Sequence, residues 1–119
     1  MTPHPRVHPQ PSELAAQAWL QSLPEMQGID VAIGWDALDS RDSYRPLITI
    51  DDVFSNLSGR FVVQNCVQID VWSRDRAEEL AQAIWRSTET AHANRLRAPQ
   101  FIPNQGGRWS LDLEFRIGP

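Results

Sequence analysis

Residues Phe61 to Ala93 read as one alternating strand running straight into an amphipathic helix, and the rest of the chain must be arranged around that unit. Phe61, Val63, Val67, Ile69 and Val71 fall at period two on one face, broken only by the polar Asn65. Gln64, Cys66, Gln68, Asp70 and Trp72 fall on the other. Such a pattern describes a strand with one face against a core. Ser73 follows as a candidate N-cap, because its short side chain can accept from the free N–H groups of a first turn. Asp75, Glu78 and Glu79 then sit where the helix dipole favours negative charge. Ala77, Leu80, Ala81, Ile84, Trp85, Thr88 and Ala91 step at three and four, which predicts a helix of roughly five turns, about 30 Å long.

The remaining segments supply partners for this unit. Residues 1–11 hold four of the nine prolines and two of the three histidines, and read as a flexible proline-rich arm. In such a tail His4 and His8 read as solvated side chains rather than metal ligands. Residues 12–119 form one domain. Ser12 is the expected N-cap of a first helix whose apolar face is Leu14, Ala15, Ala18, Trp19, Ser22 and Leu23, stopped at Pro24. Gly28 turns the chain into a first strand on Ile29, Val31, Ile33 and Trp35. A charged loop from Asp39 to Arg45 leads to Pro46 and a second strand, in which Ile48 and Ile50 oppose Thr49 and Asp51. Asn56-Leu57-Ser58-Gly59 is turn chemistry, so the second and third strands are expected to form an antiparallel hairpin, extended at its flanks by Val53-Phe54 and Arg60-Phe61. Asn94 to Gly107 reads as a loop of about 14 residues, long for a compact domain. Arg108 to Ile117 alternates cleanly as the last strand. The expected order is α-β-β-β-α-β: an α/β (α+β) fold with two helices on one face of a four-stranded, mostly antiparallel sheet.

Composition narrows the function. At 119 residues the chain is one domain by length. No run approaches the ~18–20 apolar residues of a membrane span, and no signal-peptide pattern opens the sequence, so folding is expected where the chain is made. Cys66 is the single cysteine, which excludes an intrachain disulfide and a cysteine zinc site and reads as a small strand residue. The net charge of −4 argues against general affinity for nucleic acid. All 11 basic residues are arginine, a side chain suited to bidentate pairing with carboxylates, although a GC-rich coding sequence explains the bias equally well.

Catalytic patterns are missing: there is no phosphate loop, nucleophile elbow, paired zinc histidines or calcium loop. Asp51 and Asp52 point to opposite faces of a strand, Glu78 and Glu79 read as a solvated helix face, and His92 suits a helix C-terminus. An enzyme is not expected, nor any cofactor or metal. Asp70, Asp112 and Glu114 share the polar sheet face with Arg108 and Arg116. They read either as a solvated face with cross-strand charge pairs or as a face that meets another copy. Of the five tryptophans, Trp19, Trp85 and Trp109 fall on apolar faces, and Trp35 on the core or its rim. Trp72 lies on the polar register, where it is either an interface anchor or tucked under the helix.

The run Val67-Gln68-Ile69-Asp70-Val71-Trp72-Ser73-Arg74-Asp75-Arg76-Ala77-Glu78-Glu79-Leu80-Ala81 resembles a recurrent pattern in the tail terminators of long-tailed bacteriophages. In that family a strand of the form V-x-V-W-(S/A) leads into a helix rich in Ala, Glu and Leu. A first helix carrying Trp19-Leu20 and the closing strand Arg108 to Ile117 extend the likeness over Ser12 to Ile117. The resemblance implies a sheet with helices on one face and a homohexameric ring. That ring would cap the completed tail tube in the virion, join it to the head–tail connector protein, and let DNA pass through its lumen without specific binding. Assembly would take place in the bacterial host cytoplasm, and neither cofactor nor membrane is implied.

A −4 subunit repeated around a ring would give an acidic object along whose wall DNA slides. Expected interface residues are Phe54, Asn56, Leu57 and Arg60 on the hairpin and Asn104 on the long loop. On the polar face they are Asp70, Trp72, Arg108, Asp112, Glu114 and Arg116. The competing expectation is another phage neck or head-completion component, or a small non-enzymatic adaptor.

Overall fold

The computed structural model describes residues 9–35, 38, 45–52, 66–103 and 107–115. The expected hairpin tip with Phe54, Asn56, Leu57 and Arg60 lies outside the described residues. So do residues 1–8 of the arm, the beginning of the third strand, most of the charged loop, Asn104 and Arg116.

The described chain forms α1 (Pro11–Ser22), β1 (Asp30–Ile33), β2 (Leu47–Asp52), β3 (Cys66–Trp72), α2 (Ala77–Arg86), β4 (Ala93–Ile102) and β5 (Arg108–Phe115). Short 3-10 turns at Pro24–Met26 and Ser87–Thr90 follow the two helices. The result is a mixed α+β fold with an open five-stranded sheet in the order β1-β2-β3-β5-β4. β1 pairs with β2 in parallel. The expected antiparallel pairing of β2 with β3 is present, and β3–β5 and β5–β4 are antiparallel too.

Both helices cover the same sheet face. Ala16, Trp19 and Leu20 of α1 and Ala77, Leu80, Ala81 and Ile84 of α2 join one core with Ile48, Ile50, Val67, Ile69, Val71, Leu111, Leu113 and Phe115. The alternating residues of the last strand thus face the core as their period requires. Trp19 is buried, with its ring edge-on to Phe115 at 5.8 Å and its Nε1 donating to Thr90 Oγ1 at 2.9 Å. Trp85 and Trp109 pack only partly against the core.

Several expectations need correction. The stretch read as a loop from Asn94 is the ten-residue strand β4 at the sheet edge, so the sheet has five strands, not four. Pro99 disguised it, and an edge strand tolerates proline because one side needs no ladder bond. Two register irregularities, between Arg95 and Arg97 and between Arg97 and Gln100, also erase the alternation that would have revealed it. α1 begins at Pro11 rather than after Ser12, because proline suits the first helical position and Glu13 Oε1 accepts from the Gln10 N–H at 2.8 Å.

α2 is shorter than its stripe. Ser73 Oγ accepts from the Arg76 N–H at 3.2 Å, but this closes a turn before the helix instead of capping it. At the far end hydroxyls and an arginine compete for the backbone: Thr88 Oγ1 donates to the Trp85 carbonyl, Thr90 Oγ1 to Ser87 O at 2.8 Å, and Arg95 Nη2 to Trp85 O at 2.8 Å. Such local bonds offer the chain an alternative to continuing the helix.

Gly107 fixes how β5 starts. Its φ is +80°, its carbonyl accepts from the Ser73 N–H at 3.2 Å, and a Cβ there would collide with the Ser73 carbonyl oxygen. Gly28 has φ +81° with open space around it. Gly28→Ala should therefore cost only the left-handed backbone penalty of about 1–2 kcal/mol. Gly107→Ala should cost clearly more in the same urea titration; equal losses would show that the contact with Ser73 is immaterial.

Candidate functional site

The sheet face away from the helices holds the residues that the sequence singled out. Cross-strand register places Leu47, Thr49 and Asp51 of β2 beside Trp72, Asp70 and Gln68 of β3. On the other side of β3, Arg108, Ser110, Asp112 and Glu114 of β5 stand opposite Trp72, Asp70, Gln68 and Cys66. The outer rank on β4 includes Asn94, Arg97, Gln100 and Ile102.

Asp70 lies at the middle of this face with no solvent exposure. A carboxylate cannot keep its charge there without partners. Arg108 Nε donates to Asp70 Oδ1 at 3.0 Å, and Gln68 Nε2 to Oδ1 at 3.2 Å and Oδ2 at 3.0 Å. The Arg108 guanidinium in turn lies 5.2 Å from the Trp72 ring centroid and 4.9 Å from that of Trp35. Trp35 meets Trp72 edge-on at 5.6 Å. Gly34 makes this possible: its φ of +86° breaks the alternation after β1, so Trp35 joins the polar face instead of the core to which its register assigned it. Trp72 Nε1 donates to Thr49 Oγ1 at 2.9 Å, which satisfies the buried indole.

A second arginine organises the outer part of the face. Arg97 makes a two-pronged pair with Asp112, with Nε to Oδ2 at 2.8 Å and Nη2 to Oδ1 at 2.8 Å, and Nη2 also reaches Ser110 Oγ at 2.7 Å. The bond to Asp112, more than any other influence, holds the Arg97 proton tighter than usual, against a smaller opposing effect of burial. Asn94 Nδ2 donates to Glu114 Oε1 at 3.0 Å near the rim. Burial, then Glu114, Asp112 and Asp52, push the Cys66 thiol above its ordinary range, so it stays protonated and unreactive at neutral pH.

The expected interface residues Asp70, Trp72, Arg108, Asp112 and Glu114 are thus brought together on one sheet face. Asp70 is fully buried and Trp72 is 5 % exposed. Trp72 is neither an exposed anchor nor tucked under α2; it is covered on the opposite face by Trp35 and Arg108. Asp70 and Trp72 form a buried centre, while Arg108, Asp112 and Glu114 around it are partly exposed. Sequence reasoning passed over Arg97, whose register is hidden by the β4 irregularities, and Leu96 and Phe101, which are 50 % and 54 % exposed on the same strand.

Among the described residues no group of three or more His, Cys, Asp or Glu could hold a metal ion, and no helix is long and apolar enough to cross a membrane. A shallow groove of about 580 Å³ borders the outer side of α2, lined by Glu25, Arg76, Glu78, Glu79, Gln82 and Arg86. Arg76 meets Glu79 there at 3.2 Å, with both side chains largely exposed. Comparison of the chain with protein-family models, with curated proteins and with solved structures finds no significant match.

The buried pair makes a sharp prediction. Asp70→Ala leaves Arg108 without its carboxylate and should cost about 3–5 kcal/mol. Asp70→Ala combined with Arg108→Met should cost much less than the sum of the single changes. Additive losses in urea denaturation would show that the two side chains act independently.

Proposed function

We propose that this chain is a tail terminator of a long-tailed bacteriophage. In this reading it is a virion protein whose copies form a ring on the finished tail tube and present the surface to which the head–tail connector joins. The observation that carries the reading is the segment Val67 to Ala81. It supplies most of the central strand β3, the turn at 74–76 and the first residues of α2, so the part that resembles the family is also the part on which the sheet is built.

The role is mechanical. Carboxylates on the polar face are engaged by arginine and glutamine, an arrangement suited to rigidity rather than to proton transfer. With a charge of −4 per copy, a six-membered ring carries a field that disfavours DNA sticking to its wall. Its partners are further copies of itself, the tube protein and the connector. Its place is the head-proximal end of the tail, reached by assembly in the host cytoplasm.

The test is to add the purified chain to growing tail tubes and image them by electron microscopy. Density at one tube end, together with arrested elongation, is the expected result. Binding to a head connector in the absence of tubes, with elongation unaffected, would overturn the reading in favour of a head-side neck component.

A further inference from the structure

α2 turns one side to the core and the other to the shallow groove of about 580 Å³. On that outer side Glu78, Gln82 and Arg86 stand at steps of four, which makes them one row down the helix, about 12 Å from end to end. Glu78 and Arg86 are exposed and Gln82 is half-buried. Arg76 and Glu79 beside the row pair with each other at 3.2 Å. The Glu78 carboxylate, the Gln82 amide and the Arg86 guanidinium meet no hydrogen-bond or ion-pair partner among the described residues.

Read along the helix, the row is negative, neutral and positive, with Gln82 at its centre. A second copy of the row, rotated by a half-turn about an axis at Gln82, sets its Arg86 against Glu78 and its Glu78 against Arg86. Parallel packing of the two rows in the same register would set like charge against like, which is costly. Rows at steps of four interdigitate with the helices crossed at about −50°. Two helices so crossed diverge away from Gln82, and this carries the acidic Asp75 and Glu89 beyond the ends of the row apart. Leu80 and Ala83 also line the groove and give the contact an apolar floor, and Glu25 adds a carboxylate from the turn after α1.

We propose that two copies of this chain dock through the outer side of α2, antiparallel and two-fold, with Glu78 of each against Arg86 of the other. Such a contact is isologous and closes at two copies. It does not rest on the terminator reading, and it is a contact additional to any that closes a ring. One helix face falls well below the ~800 Å² per partner of a standard stable interface, so the dimer is weak and concentration-dependent. Exposed ion pairs add little affinity by themselves; here they fix the orientation and exclude the parallel alternative. Salt screens them, so association weakens as ionic strength rises.

Charge exchange tests it, by analytical ultracentrifugation of the full chain up to about 1 mM, the weakest range in which a specific contact remains measurable. Wild type should dimerise as concentration rises. Glu78→Arg alone sets arginine against arginine at both ends of the row, and Arg86→Glu alone sets glutamate against glutamate. Each should weaken association about tenfold or more. Mixed in equal amounts, the two variants should dimerise again, because every like-charge contact becomes an opposite-charge one. Recovery on mixing also shows that both variants are folded, and cooperative thermal melting checks each one separately. The double variant E78R/R86E should associate like wild type. Wild type that is monomeric at every concentration would overturn the proposal. So would association that either single change leaves unaltered, or folded variants that fail to associate when mixed. Failure of the chain to bind tail tubes, with the charge-exchange pattern intact, would leave the dimer standing and remove only the terminator reading.

Discussion

A carboxylate with no solvent exposure sits at the centre of the sheet, and the structure around it follows from the need to pair it. Asp70 is held by Arg108 and Gln68, Arg108 lies over the rings of Trp35 and Trp72, and Trp72 is fixed through its indole N–H to Thr49. This chain of contacts links the loop after β1 to β2, β3 and β5, so strand register and the path of the chain are specified together. Buried ion pairs are weak sources of net stability, since desolvation offsets most of their attraction, but a mispaired one is costly. A slip of β5 by one residue would move Arg108 to the core face and leave Asp70 without its cation. Gly107 guards the same register from the side, because only a residue without Cβ can pass so close to the Ser73 carbonyl.

The core was legible in the sequence because it depends on period alone. Val67, Ile69 and Val71, the α2 stripe and the alternation of β5 all face the helix layer as read. Less visible was anything set by contacts across the sheet. Asp70, Trp72, Arg108 and Asp112 could be assigned to one face, but their burial depends on Trp35 crossing to that face at Gly34 and on Arg97 arriving from an unrecognised strand. β4 itself escaped because proline and bulges remove the periodicity that marks a strand, and an edge tolerates both. The length of α2 failed for a related reason: its apolar stripe continues past Arg86, while Thr88, Thr90 and Arg95 draw the backbone into a tighter turn.

Burial at the centre of the polar face limits where a partner can bind. With Asp70 and Trp72 internal, the exposed large apolar side chains among the described residues are Leu14 on α1 and Leu96 and Phe101 on β4. Of the expected interface residues on this face, Arg108, Asp112 and Glu114 remain partly exposed.

The most direct measurement is amide hydrogen exchange in the wild type and in Asp70→Ala. Amides of β2, β3 and β5 should exchange slowly in the wild type and faster together in the variant, because one buried pair holds the three strands in register. Exchange that quickens at β3 alone, with β2 and β5 unchanged, would contradict the account, because the strands would then be held independently of Asp70.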